Sequence, residues 1–158
     1  MTLFLLLAGV LMLAGCGDDS DSSSTESTGS TPAVDTSTKP EVTVPDEPAP
    51  KELVSEDLVE GTGAVAEPGA QLTVQYVGVD YETGEEFDAS WDRGQPFPFQ
   101  LGAGMVIPGW DQGIAGMRVG GRRELTIPPD LAYGKQGSPP AIAPNATLVF
   151  VIDLLDAQ

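Results

Sequence analysis

Any chemistry in this 158-residue chain is done without histidine, because none is present. That removes the usual general base near neutral pH, the commonest metal ligand and every Ser/His or Cys/His nucleophilic arrangement. Cys16 is the only cysteine, so neither an intrachain disulfide nor a cysteine-rich zinc site can form. Among the remaining candidates is Trp110, at the end of the run Val106-Ile107-Pro108-Gly109-Trp110, and the charged pair Asp88 and Arg93. Taken locally, each has a bland explanation. A tryptophan on a short amphipathic helix reads as core packing before it reads as a ligand platform. Asp88 and Arg93 read as a surface ion pair contributing about 0 to 1 kcal/mol.

The elements that must position these groups are visible in the pattern. Pro108 is tolerated in a first helical turn because its missing N–H has no intrahelical partner there, so a helix is predicted from Pro108 to Gly116. Trp110 and Ile114 then share one face, and Gly116 suits a left-handed helix end. Alternation predicts a half-buried strand over Gln71 to Val79, with Leu72, Val74 and Tyr76 on one face. Glu82-Thr83-Gly84-Glu85 reads as a hairpin turn. Further strands are predicted over Leu53 to Val59, Phe97 to Leu101, Arg122 to Ile127 and Thr147 to Leu155, the last with Leu148, Phe150, Ile152 and Leu154 on one side. Phe99, Leu101 and Leu148 read as core. One helix among so many strands implies an α+β fold, an antiparallel five- to six-stranded sheet wrapped around one short helix. The connections Asp88 to Pro96 and Pro128 to Pro144, rich in Gly, Pro and charge, are where a site is expected.

Charge narrows the partners. Acidic residues number 24 against 7 basic, a net charge of -17, and such a surface repels nucleic-acid backbones, so no nucleic-acid partner is expected. The apolar run Leu3 to Ala14 is short for a membrane span and fits a signal-peptide hydrophobic region. Its end, Leu13-Ala14-Gly15-Cys16, resembles the lipobox of bacterial lipoproteins, although no Lys or Arg precedes the run. That resemblance implies a signal peptide over residues 1–15 and lipidation of Cys16, with acyl chains as the only membrane attachment. Residues 16–50, acidic and rich in Ser, Thr and Pro, read as a disordered tether averaging on the order of 30 Å end to end. Residues 51–158 form the folded domain.

Six runs in that domain resemble the FKBP family of macrolide-binding peptidyl-prolyl cis/trans isomerases. They are Val74-Gln75-Tyr76-Val77-Gly78, Phe87-Asp88-Ala89-Ser90, Pro96-Phe97-Pro98-Phe99-Gln100-Leu101-Gly102, Val106-Ile107-Pro108-Gly109-Trp110, Pro128-Pro129-Asp130-Leu131-Ala132-Tyr133-Gly134 and Asn145-Ala146-Thr147-Leu148-Val149-Phe150. The likeness spans Val74 to Asp156 and extends back through Gly61-Thr62-Gly63. It implies an FKBP-like fold and rotation about Xaa-Pro bonds, with no cofactor or metal. By resemblance the proline ring rests on Trp110, walled by Tyr76, Phe87, Phe97, Val106, Ile107 and Phe150. The Ile107 N–H and the Tyr133 hydroxyl hold the substrate backbone, and Ile142 completes the binding surface. Asp88, positioned by Arg93 and the Tyr76 hydroxyl, acts through its field and is not a proton-transfer base. Ser138, Ala141 and Ala143 depart from the larger or cyclic residues that relatives carry, and Met105 replaces a polar residue.

Together these features imply a monomeric, lipid-anchored prolyl isomerase at the extracytoplasmic face of the cell membrane, periplasmic if a second membrane exists. Its expected partners are Xaa-Pro segments of unfolded or exported proteins, and macrolide ligands. The alternative is a non-catalytic proline-binding module or general chaperone with the same pocket. The tether itself carries Val44-Pro45 and Ala49-Pro50, which are candidates to occupy that pocket.

Overall fold

The computed structural model describes residues 36–158, so the signal peptide expected over residues 1–15 and the lipidation expected at Cys16 lie outside the described residues. Six antiparallel strands form one sheet: β1 (Val54–Val59), β2 (Gln71–Asp80), β3 (Glu86–Ala89), β4 (Phe97–Gln100), β5 (Arg122–Ile127) and β6 (Leu148–Ala157). The order is β1-β5-β6-β2-β3, and β4 also pairs with β2. β6 runs along β2 from Leu72 to Asp80, so the opposite edge of β2 is shared. β4 takes Gln71 to Val74 and β3 takes Val77 to Val79. The chain between them turns through a one-turn helix, α1 (Ser90–Arg93).

The alternation predicted for β2 and β6 is what separates the faces. Leu72, Val74, Tyr76, Leu148, Phe150, Ile152 and Leu154 are buried in one cluster with Phe99, Leu101, Trp110 and Ile114. The helix α2 (Pro108–Gly113) closes this side. It lies on β5 because Gly109 and Gly113 have no side chains. A Cβ at Gly109 would stand 2.4 Å from Cγ2 of Ile127, and one at Gly113 would stand 2.7 Å from Cδ1 of Leu125. The helix stops short of Gly116, and Ile114 N donates to the Trp110 carbonyl at 2.9 Å as the chain leaves it. Gly116 does adopt the left-handed conformation, with φ 81°.

Three features differ from the sequence reading. β3 is a strand that four residues with two acids among them did not announce. The connection after it contains α1, so α2 is not the only helix, and a 3-10 turn spans Pro129–Leu131. The third difference concerns the tether. Val42, Val44 and Ala49 pack on the outer face of the sheet against a second buried cluster of Val77, Val79, Tyr81, Ala89 and Val149. Pro40, Val42 and Val44 are half-buried and alternate with exposed Lys39, Glu41 and Thr43. A period of two lets an extended segment bury one side. Overall composition concealed that alternation.

One local conflict gives a stability prediction. Glu56 and Glu124 are directly opposed across β1 and β5. Burial, and then the Glu56 charge, push the Glu124 carboxyl above its ordinary range. A carboxyl raised by folding favours the native state at acid pH, and this contribution is lost as pH rises through the raised value. Glu124→Gln is therefore expected to stabilise the domain at pH 7 by about 0.5 to 1 kcal/mol, the range for opposed like charges. Urea unfolding at pH 7 and pH 4 should show that gain shrinking at the lower pH; an equal gain at both would remove the explanation.

Candidate functional site

On the inner side of the sheet a cavity of about 160 Å³ is lined by Tyr76, Phe87, Asp88, Phe97, Met105, Val106, Ile107, Trp110, Tyr133 and Phe150. Residues from β2, β3, β4, α2, β6 and two loops thus meet at one place. Gly78 makes part of this possible. A Cβ there would stand 2.7 Å from Cε1 of Phe150 and 2.7 Å from Cζ of Phe87, so the two rings settle over the bare backbone of β2.

Trp110 is 4% exposed and touches four rings. Tyr76 lies edge-on at 5.1 Å between centroids, Phe150 edge-on at 5.3 Å, Phe99 tilted at 5.6 Å and Phe97 edge-on at 6.1 Å. Edge-to-face contacts of this kind each contribute about 0.5 to 1.5 kcal/mol beyond area burial, and they fix ring orientation. Trp110 is therefore a core residue that also borders the cavity.

The approach to Trp110 is set by its own helix. Ile107 precedes α2 in an extended conformation with ψ 148°, so its N–H stays outside the helix ladder, while its carbonyl accepts from Trp110 N at 2.9 Å. Asp111 accepts hydrogen bonds from the amides of Gly102 at 2.8 Å and Gly104 at 3.3 Å. That clamp ties the loop carrying Met105 and Val106 to the helix, and the sequence reading missed it. Met105, 66% exposed at the cavity wall, was also missed as a site residue. Its position immediately before Val106 was the available signal.

At the rim, three groups form one hydrogen-bonded set. The Tyr76 hydroxyl donates to Oδ2 of Asp88 at 2.5 Å and accepts from Nη2 of Arg93 at 2.7 Å. Arg93 Nη1 also pairs with Oδ1 of Asp88, and its guanidinium carbon lies 5.5 Å from the Tyr76 ring centroid. Burial, then the bond to Asp88, push the Tyr76 hydroxyl above its ordinary pKa. The bond to Tyr76, reinforced by Asp88, pushes the Arg93 guanidinium up. Burial and the Asp88 charge likewise raise Tyr133. Both phenols therefore remain hydrogen-bond donors across ordinary pH, and Asp88 is held at the cavity edge. Arg93 and Asp88 side chains are 47% and 41% exposed, so the pair orients more than it stabilises.

Ile142 is placed differently from expectation. It is 5% exposed within the main core and is absent from the cavity wall. Ser138 and Ile142 exchange backbone hydrogen bonds at 2.9 and 3.0 Å, folding the loop back on itself and turning Ile142 inward. The two tether dipeptides are elsewhere too: Val44 and Ala49 sit on the outer sheet face, outside the cavity lining.

Comparison with known proteins extends this picture. The model of the family described as FKBP-type peptidyl-prolyl cis-trans isomerase matches residues 63–155. The FK506-binding protein of Streptomyces anulatus is 58% identical over 118 residues, covering 74% of this chain and 95% of that one. The peptidyl-prolyl cis-trans isomerase FPR2 of Saccharomyces cerevisiae is 52% identical over 93 residues, 59% of this chain and 69% of its own. The crystal structure of AtFKBP13 superposes with a TM-score of 0.64 at 40% identity, over 70% of this chain and 96% of that one.

Proposed function

Because the chain belongs to the FKBP-type peptidyl-prolyl cis-trans isomerase family, we propose that the cavity beside Trp110 is where it binds and twists Xaa-Pro bonds of exported proteins. The observation that carries this reading is the lining itself, with six aromatic rings, two of them phenols, and one carboxylate. Such a site holds no serine, cysteine or histidine, and the reaction needs none.

Rotation about an Xaa-Pro bond breaks no bond, yet it faces a barrier of about 18 to 20 kcal/mol from amide resonance. At the top of that barrier resonance is lost, the carbonyl is less polar, and the group loses less on leaving water. An apolar wall therefore favours the twisted amide over the planar one, which is the difference that accelerates the step. The Ile107 N–H and the Tyr133 hydroxyl anchor the flanking backbone, and the Asp88 field acts on the turning carbonyl. The likeness to the FK506-binding protein of Streptomyces anulatus supports FK506-like macrolides as competitors for the same cavity.

The lipobox-like Leu13-Ala14-Gly15-Cys16 run supports work at the outer face of the cytoplasmic membrane, with acyl chains on Cys16 as the anchor. The test has two arms. Cis/trans exchange of a proline peptide, followed by NMR without a coupled protease, should be accelerated, with Tyr133→Phe about fivefold slower, as expected for one lost hydrogen bond. Exchange no faster than the uncatalysed rate would overturn the site assignment. In cells, metabolic labelling with a fatty acid should mark the wild-type protein and not Cys16→Ser; equal labelling of the two, or none of wild type, would overturn the anchor.

A further inference from the structure

The pocket rim hangs on α1, and α1 is not stable by itself. A helix of one turn is far below the length that persists alone in water, and Ala89 at its start provides no side-chain cap. Something else must hold Ser90–Arg93 in place. On the inner side the Ser90 hydroxyl does so, accepting from Tyr76 N at 2.8 Å and bonding the Gln75 side chain. On the outer side a cation from the segment laid across the sheet takes this part. Lys39 Nζ lies 2.9 Å from Oε1 of Glu86 and 2.7 Å from Oδ1 of Asp92.

Those two carboxylates bracket the rim in sequence. Glu86 immediately precedes Phe87 and Asp88, and Asp92 immediately precedes Arg93. Trp91, between them, packs against the same outer cluster that Val42 and Val44 cover. Its indole nitrogen is buried with no hydrogen-bond partner. The segment is also held at its start, where Nη2 of Arg122 donates to the Thr38 carbonyl at 2.9 Å.

We propose that residues 38–49 act as a strap in which Lys39 is a positioning residue for prolyl isomerisation, tying β3 to α1 from outside so that Asp88 and Arg93 stay registered on Tyr76. This rests on the reading of the cavity as the reactive site. Lys39 touches no cavity residue, so its influence passes through the backbone of β3 and α1.

The test uses the full chain in detergent micelles and compares wild type with Lys39→Met, Lys39→Arg and Val44→Asp. Its two tryptophans give two indole N–H signals, Trp91 reading the strap and Trp110 the pocket. Lys39→Met is expected to shift both signals and to lower kcat/KM about two- to fivefold, the size exposed ion pairs supply. Lys39→Arg should restore both, and added salt should bring wild type down toward Lys39→Met. Val44→Asp, which loosens the strap by another route, should move the same two signals. The proposal is overturned if Lys39→Met or Val44→Asp shifts Trp91 while the Trp110 signal and both kinetic constants stay at wild-type values. It is equally overturned if neither variant shifts Trp91, since the strap is then not docked. A proline-peptide Kd followed through the Trp110 signal asks the same question independently of turnover. Loss of coupling is thus distinguishable from an error about where isomerisation occurs, which would show as wild-type turnover insensitive to Tyr133→Phe.

Discussion

Replacing Trp110 with leucine is expected to lower kcat/KM for Xaa-Pro isomerisation by at least about tenfold, equivalent to about 1.4 kcal/mol of lost preference for the twisted amide. Two losses combine. The flat apolar face that borders the cavity disappears, and Tyr76, Phe97 and Phe150 lose the ring that fixes them at 5.1 to 6.1 Å. Leucine keeps the site apolar but leaves space, so the domain should also lose about 2 to 4 kcal/mol of stability. Activity must therefore be referred to the folded fraction, measured by circular dichroism at the assay temperature. Ile114→Val is the control: Ile114 is fully buried behind the helix and outside the cavity lining. It should cost about 0.5 to 1.5 kcal/mol of stability without changing the rate per folded molecule. A folded Trp110→Leu protein with wild-type kcat/KM would remove Trp110 from the mechanism.

Arg122→Leu is expected to be the most damaging single change to stability, about 3 to 5 kcal/mol. Arg122 and Asp153 face each other across β5 and β6 with side chains 4% and 1% exposed. Their contact is bidentate, Nε to Oδ1 at 2.5 Å and Nη2 to Oδ2 at 2.9 Å. Burial pushes the Asp153 carboxyl above its ordinary value even though Arg122 pulls it down. Without the guanidinium, burial acts unopposed and the carboxylate is left without its ion-pair partner. A carboxyl raised by folding contributes stability at acid pH that is lost as pH rises through the raised value. The deficit of Arg122→Leu should therefore be largest near pH 7 and shrink toward pH 4, in urea unfolding against wild type. Leucine at both positions should recover most of the loss, because a matched apolar pair has no charge to desolvate. A small deficit, independent of pH, would show that the pair is not the buried contact described.

Much of this protein is legible along the chain. Period-two alternation over Leu72, Val74 and Tyr76 placed these residues on the face that is buried, and Arg122 to Ile127 was delimited to the residue. Pro108 marked the start of α2. The lack of histidine narrowed the chemistry before any fold was known. These signals are local, arising from backbone sterics and burial of one face, so a window of ten residues carries them. Family resemblance, resting on six runs, then supplied the roles that local pattern had assigned to plain core and surface.

Other features required the packed molecule. Local pattern around Tyr76, Asp88 and Arg93 does not say that one hydroxyl bridges the other two; family resemblance implied the grouping, and its geometry depends on β3 and β4 sharing an edge of β2 with α1 between them. Ile142 turned inward because its loop pairs with itself. Residues 38–49 looked like tether because their apolar residues are few, and only the apolar outer face of Val77, Val79, Tyr81 and Val149 gives them something to cover. Residue types and periodicities are properties of the chain, and the sequence by itself determined them. Which distant elements meet depends on the burial that each alternative packing achieves, and only the tertiary structure decided that.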